Sequence, residues 1–151
     1  MEIHIDNLTG GAISAFLEEH IRDMRAVSPP ESKHALDLDG LRKPEITFWT
    51  AVDHDHIIGC CALKELSQNE AEIKSMRVSV QRRGTGLGLV LLEHLIKEAK
   101  QREYSTLYLE TGSMDFFVPA RKLYEKFGFH YCGPFGNYKA DPNSVFMKKE
   151  L

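Results

Sequence analysis

Apolar and polar positions along the chain sort into strand-like and helix-like periods. MEIHI, residues 1–5, alternates and reads as a short strand. From about Gly11 to Val27, the residues Ile13, Phe16, Leu17, Ile21 and Met24 recur at helical spacing. SPPES breaks that helix, and Ser32 is placed to cap a second amphipathic run, HALDLDGL. Two strand-like runs follow, EITFWTAV and HIIGCCALKEL, and the turn DHDH between them predicts a hairpin. SQNEA is a further turn, and EIKSMRVSV is a strand that ends at a glycine-rich loop. In that strand neither alternate face is apolar throughout, unlike a plain buried strand. Leu87, Val90, Leu91, His94 and Leu95 line one side of a long helix, with Lys97 and Lys100 in its last turns. STLYLETG is a strand, Pro119 suits the first turn of another helix, and Gly128 suits its end. FHYCGPF and SVFMKKEL complete the order β-α-α-β-β-β-α-β-α-β-β. This predicts a single α/β domain over residues 1–151, a mixed sheet flanked by helices.

Composition narrows the function classes. The 151 residues are 42% hydrophobic and 27% charged with a formal net charge of −3, the profile of an ordinary globular domain. No long basic run favours nucleic acid as a partner. No apolar stretch approaches the ~18 residues of a membrane span. MEIHIDNLTGG lacks the basic flank and apolar centre of a secretory signal, so the expected location is the cytoplasm. The three cysteines, Cys60, Cys61 and Cys132, form no disulfide or zinc framework. Cys60 and Cys61 would face opposite ways in a strand, which makes them small apolar residues of a reducing compartment.

The segment QRRGTGLGLVLLEHLIKEAK, residues 81–100, runs two arginines and three glycines into an amphipathic helix. A helix N-terminus offers unpaired N–H groups to an anion, and glycines let a phosphate approach the backbone. The same glycines could equally serve only a tight strand-to-helix turn. A Walker loop would need Gly-Lys-Ser/Thr, whereas Leu89 follows Gly88. A Rossmann fingerprint would need G-x-G-x-x-G, whereas these glycines run G-x-G-x-G.

VSVQRRGTGLG resembles the Q/R-x-x-G-x-G/A signature of the GCN5-related N-acetyltransferases (GNAT), with Gln81, Gly84 and Gly86 in the motif positions. ARKLYEKFGF, residues 120–129, resembles that family's second hallmark, a helix carrying a tyrosine before a Gly-Phe turn. The resemblance implies a mostly antiparallel mixed sheet and acetyl-CoA as co-substrate, without a metal. The loop, with Gln81, Arg82, Arg83, Gly84, Thr85, Gly86, Leu87 and Gly88, would then grip the coenzyme's pyrophosphate. Tyr124 matches the family's general acid, although a tyrosine in the stripe of Ala120, Leu123 and Phe127 could also serve only as core. The strand before the loop is expected to carry a bulge, to splay from its neighbour, and to lend Met76 and Val78 backbone groups to the pantetheine arm. An N–H near Met76 is the expected oxyanion donor.

Glu72 lies where some relatives place a general base. The alternatives are Glu110, a water chain, or a Glu72 that is only a solvated strand-end carboxylate. Phe117 is a departure: many relatives carry asparagine there, facing the pantetheine, and an aromatic wall would have to replace it.

On the acceptor side, Ser28, Ser32, His34, Tyr138, Asn143 and Ser144 individually read as turn chemistry. Together they fit a pocket for a small polar amine. His54 and His56 flank Asp55 in a turn and are expected to be exposed rather than metal-binding. His94 is expected to be a satisfied buried histidine. The function expected is acetyl transfer to a small-molecule amine. Acetylation of a protein or peptide and a non-catalytic CoA-binding module are the alternatives, and a homodimer is left open.

Overall fold

The computed structural model describes residues 1–27 and 38–151. The elements follow the predicted order: β1 (Glu2–Ile5), α1 (Gly11–Val27), α2 (Leu38–Leu41), β2 (Ile46–Asp53), β3 (His56–Glu65), β4 (Glu70–Val78), α3 (Leu87–Gln101), β5 (Thr106–Gly112), α4 (Val118–Lys126), β6 (His130–Cys132) and β7 (Ser144–Glu150). Single 3₁₀ turns at Val80–Arg82 and Asp115–Phe117 lead into α3 and α4.

The strands form one seven-stranded sheet in the order β1-β2-β3-β4-β5-β7-β6. All neighbours are antiparallel except β4 and β5, whose connection includes α3, as a parallel crossover requires. The β2–β3 hairpin turns at His54 and Asp55, which both have positive φ, the conformation that two-residue hairpin loops favour.

Two apolar cores lie on opposite faces of the sheet. The larger packs Leu91, Leu92, Leu95 and Tyr124 against Cys61, Leu63, Leu107 and Leu109. The smaller packs Ile13, Phe16 and Leu17 of α1 and Leu41 of α2 against Phe48, Cys60 and Ala62. Cys60 and Cys61 thus face opposite cores, and burial raises both thiols, Cys61 to about 12.

β4 shows why its sequence has no continuous apolar face. It starts two residues before the predicted boundary, at Glu70, and ends at Val78, where the chain turns into a 3₁₀ turn. Lys74 pairs with Ala62 and Arg77 with Cys60, so three steps on β4 match two on β3. The extra residue is a bulge, with Ser75 at φ 53°. One inserted residue exchanges the two faces. Ala71 and Ile73 face the larger core before the bulge, and Met76 and Val78 face it afterwards.

The last strands are shorter than predicted, because β6 keeps only three residues. The chain from Gly133 to Asn143 forms a loop with turns between β6 and β7.

Candidate active site

β4 and β5 are paired only from Glu70–Thr106 to Ile73–Leu109. From Lys74 onward, through the bulge, they part, and a cleft of about 970 Å³ opens between Lys74–Val78 and Glu110–Gly112. The loop after β4 and Ala120, Leu123 and Tyr124 of α4 complete much of its wall.

The loop places an anion-attracting end beside the cleft. Gly84 and Gly86 have φ of 77° and 87°, a region costly for residues with a β-carbon. The first turn of α3 has Val90 N–H donating to the Gly86 carbonyl at 3.2 Å. The N–H groups of Leu87, Gly88 and Leu89 precede that bond and have no partner within the helix. Arg82 donates from Nη2 to Asp53 Oδ2 at 2.8 Å, and this bond is the main cause holding the Asp53 carboxyl below its usual range. Arg83 lies 3.8 Å from Asp23 Oδ2 and 5.8 Å from the Phe116 ring centre. Gly88 sits where a β-carbon would meet Leu123 at 3.5 Å, an ordinary contact. Gln81 and Thr85 do not line the cleft. Thr85 instead donates its hydroxyl to the Arg82 carbonyl and tightens the turn.

Tyr124 projects from α4 with 7% of its surface exposed. Burial first, and the Glu110 carboxylate second, push its phenol up to about 12. It therefore keeps its proton at neutral pH. Its ring packs against Phe129 at 5.8 Å, so the side chain is at once part of the core and part of the cleft wall. Phe117 is buried and lines the same cleft, edge-on to Phe116 at 5.0 Å.

Glu72 is only 3% exposed, which removes the reading of a solvated strand-end carboxylate. Tyr138 donates its hydroxyl to Glu72 Oε2 at 2.7 Å. Lys74 Nζ lies 3.6 Å from the same oxygen and donates to the Tyr138 hydroxyl at 3.4 Å. Burial first, then the Glu72 carboxylate, raises the Tyr138 phenol far above its usual range. Glu110 also lines the cleft.

On these observations the chain can be set beside known proteins. The sequence profile of the Acetyltransferase (GNAT) family matches residues 13–129. The chain belongs to the GNAT family.

The chain is 55% identical over 151 residues, covering both chains fully, to the uncharacterized N-acetyltransferase YsnE of Bacillus subtilis. It is 40% identical to the uncharacterized N-acetyltransferase YedL of Escherichia coli, covering 99% of this chain and 94% of that one. It is also 39% identical to a protein of Azospirillum brasilense named IAA acetyltransferase, covering 93% and 91%. Among solved structures, a Klebsiella pneumoniae protein described as an acyl-CoA N-acyltransferase superposes with a TM-score of 0.80 at 26% identity, covering 99% and 97%. An aminoglycoside 6'-N-acetyltransferase complexed with coenzyme A shares the fold at 20% identity, with a TM-score of 0.69 and coverage of 99% and 97%. The protein is accordingly an N-acetyltransferase of GNAT fold.

Within this GNAT domain the polar residues expected on the acceptor side divide. Tyr138 and Asn143 line the cleft and Ser144 does not. Ser28, Ser32 and His34 lie outside the described residues. His54 is exposed, 3.7 Å from Asp53, and no group of three or more His, Cys, Asp or Glu among the described residues is placed to hold a metal. His94 corrects an expectation. It is half-buried, edge-on to Trp49 at 4.9 Å, and its Nε2 has no hydrogen-bond partner. Desolvation lowers its pKa, so the ring stays neutral and serves packing.

A cluster at the α1 side went unnoticed in the sequence. Arg77, 6% exposed, donates to Asp23 Oδ2 at 2.9 Å and lies 3.2 Å from His20 Nδ1. Its guanidinium also sits 5.4 Å from the Phe16 ring centre. Burial, aided by the Arg77 charge, lowers the His20 pKa to about 4. The available signal was spacing: His20 falls four residues after Phe16 and three after Leu17, on the apolar side of α1.

Proposed function

We propose that this GNAT enzyme transfers the acetyl group of acetyl-CoA directly to the amine of a small polar molecule, with Tyr124 as general acid. The observation that carries the reading is a buried, protonated Tyr124 in the same cleft as the anion-attracting loop and the Glu72 and Glu110 carboxyl groups. The unmatched N–H groups at the start of α3, with Arg82 and Arg83, suit the diphosphate. Met76, Val78, Leu87 and Phe117 give the cleft apolar wall that suits the pantetheine arm.

In this mechanism the amine nitrogen attacks the thioester carbonyl, and the Met76 N–H is the proposed donor to the oxygen as it gains charge. The C–S bond then breaks and the thiolate takes the Tyr124 proton. The proton lost by the amine passes to Glu72 and from there to solvent, and Tyr124 is reprotonated from solvent. The burial that raises the phenol also disfavours a naked thiolate, so both groups compete for the proton in similar surroundings. Val78 holds the arm through its backbone, and Gln81 and Thr85 shape the turn from outside the cleft. No helix among the described residues is long and apolar enough to cross a membrane, and we place the reaction in the cytoplasm.

The test is acetyl-CoA-dependent release of CoA across a panel of amino acids, polyamines, aminoglycosides and short peptides. Turnover confined to small polar amines is expected. Turnover of peptides alone, or of none of these, contradicts the reading.

A further inference from the structure

We infer that Tyr138, from the loop between β6 and β7, is a positioning residue that aims Glu72, with Lys74 fixing the phenol's orientation. The inference deepens the proposed mechanism and rests on its choice of Glu72 as proton acceptor.

Three elements meet here. Glu72 and Lys74 precede the β4 bulge and share the face that Arg77 takes after it, the face of the smaller core. Tyr138 reaches them from the far side of β5. Its ring packs on Phe135 at 5.1 Å and on Phe146 of β7 at 5.5 Å. Phe135 in turn stacks on Tyr108 of β5 at 4.7 Å. Its backbone N–H closes a turn onto the Phe135 carbonyl at 3.1 Å. The aromatic contacts hold the phenol beside the point where β4 and β5 part.

The hydroxyl can then do one thing well. It accepts from the Lys74 ammonium at 3.4 Å and donates to Glu72 Oε2 at 2.7 Å. An acceptor bond from a cation orients the phenol proton toward the carboxylate, and a donor to a carboxylate favours its charged form. A carboxylate 3% exposed needs such partners, because burial alone opposes charge. Among the described residues, His20, Asp23 and Arg77 line the same cleft from the α1 side. Lys64 and Tyr108 stand opposite Glu72 on β3 and β5, the Tyr108 hydroxyl being committed to Glu70 at 3.1 Å. Glu110 faces the same cleft, and its charge helps keep the Tyr138 phenol protonated. Among these described groups Tyr138 is the neutral donor pointed at Glu72.

The experiment follows the side-chain carboxyl carbon of Glu72 by ¹³C NMR at neutral pH, in the full chain without ligand. Glu72→Gln identifies the resonance. In Tyr138→Phe, which keeps the ring and its packing, the Glu72 signal is expected to move and broaden as the carboxylate loses its fixed orientation. Lys74→Met is expected to act the same way. In the Tyr138→Phe enzyme kcat is expected to fall by up to ~10²-fold, with the KM for acetyl-CoA unchanged. An unchanged Glu72 signal in a folded Tyr138→Phe protein overturns the inference. The reading of Glu72 as base fails separately: if Glu72→Gln leaves turnover intact while the NMR signal still moves in Tyr138→Phe, Tyr138 orients Glu72 but another group accepts the proton.

Discussion

The ring of Phe117 packs directly against Gly112, so closely that a β-carbon at residue 112 would overlap its ring atoms. Arg121 secures the same corner by donating to the Gly112 carbonyl at 2.7 Å and the Met114 carbonyl at 3.1 Å. The end of β5 and the aromatic wall of the cleft are therefore one packed unit. At this corner the chain has a ring with a glycine beneath it.

Gly112→Ala is expected to force the Phe117 ring away. Overpacking of this kind typically costs about 1–3 kcal/mol. Urea unfolding should show that loss, and acetyl-CoA should raise the melting temperature less than in the wild type. Unchanged stability and unchanged ligand response would show that the contact is not a constraint.

Much of this fold was legible in residue spacing. Ile13, Phe16 and Leu17 marked the buried side of α1, and the hairpin at His54 and Asp55 followed from the turn between two apolar runs. Parity failed in β4, because the residue inserted at Ser75 exchanged the two faces partway along. The Q-x-x-G-x-G signature located the loop, but not that Gln81 and Thr85 stand outside the cleft. The Arg77–His20–Asp23 cluster joins residues over fifty positions apart. No local pattern reports such a contact, and the same holds for Tyr138 meeting Glu72.

The loop glycines are expected to differ in tolerance. Gly84 and Gly86 have open space around a would-be β-carbon but positive φ, whereas Gly88 has neither restriction beyond ordinary contact. Gly86→Val should therefore strain the turn and weaken CoA binding by calorimetry. Gly88→Ala should fold with little change, because alanine gains up to ~1 kcal/mol over glycine within a helix. Equal CoA affinity in Gly86→Val and wild type would remove the loop from the binding site.

Acid should destabilise the protein partly through His20. Its folded pKa is about 4 against an ordinary 6.5, so between those values the unfolded chain takes up a proton that the folded one refuses. Stability is full above about pH 6.5 and is lost as the pH falls toward 4. The loss from this one group is on the order of 3 kcal/mol. His20→Gln keeps an acceptor for Arg77 and should flatten the stability curve between pH 6.5 and 4. The same slope in both proteins would mean that His20 is not the group responsible.

Tyr124→Phe tests the central claim most directly. It keeps the ring that packs against Phe129 and removes only the hydroxyl. The measurement is kcat on the preferred amine at saturating acetyl-CoA, under conditions where chemistry limits turnover, alongside acetyl-CoA affinity and melting temperature. A fall in kcat of ~10²–10⁴-fold is expected, as for loss of a general acid, with affinity and stability nearly unchanged. The deficit should shrink for thioesters of more acidic thiols, which leave with less help. Near-normal turnover by Tyr124→Phe would contradict the account and leave Tyr124 as a core residue.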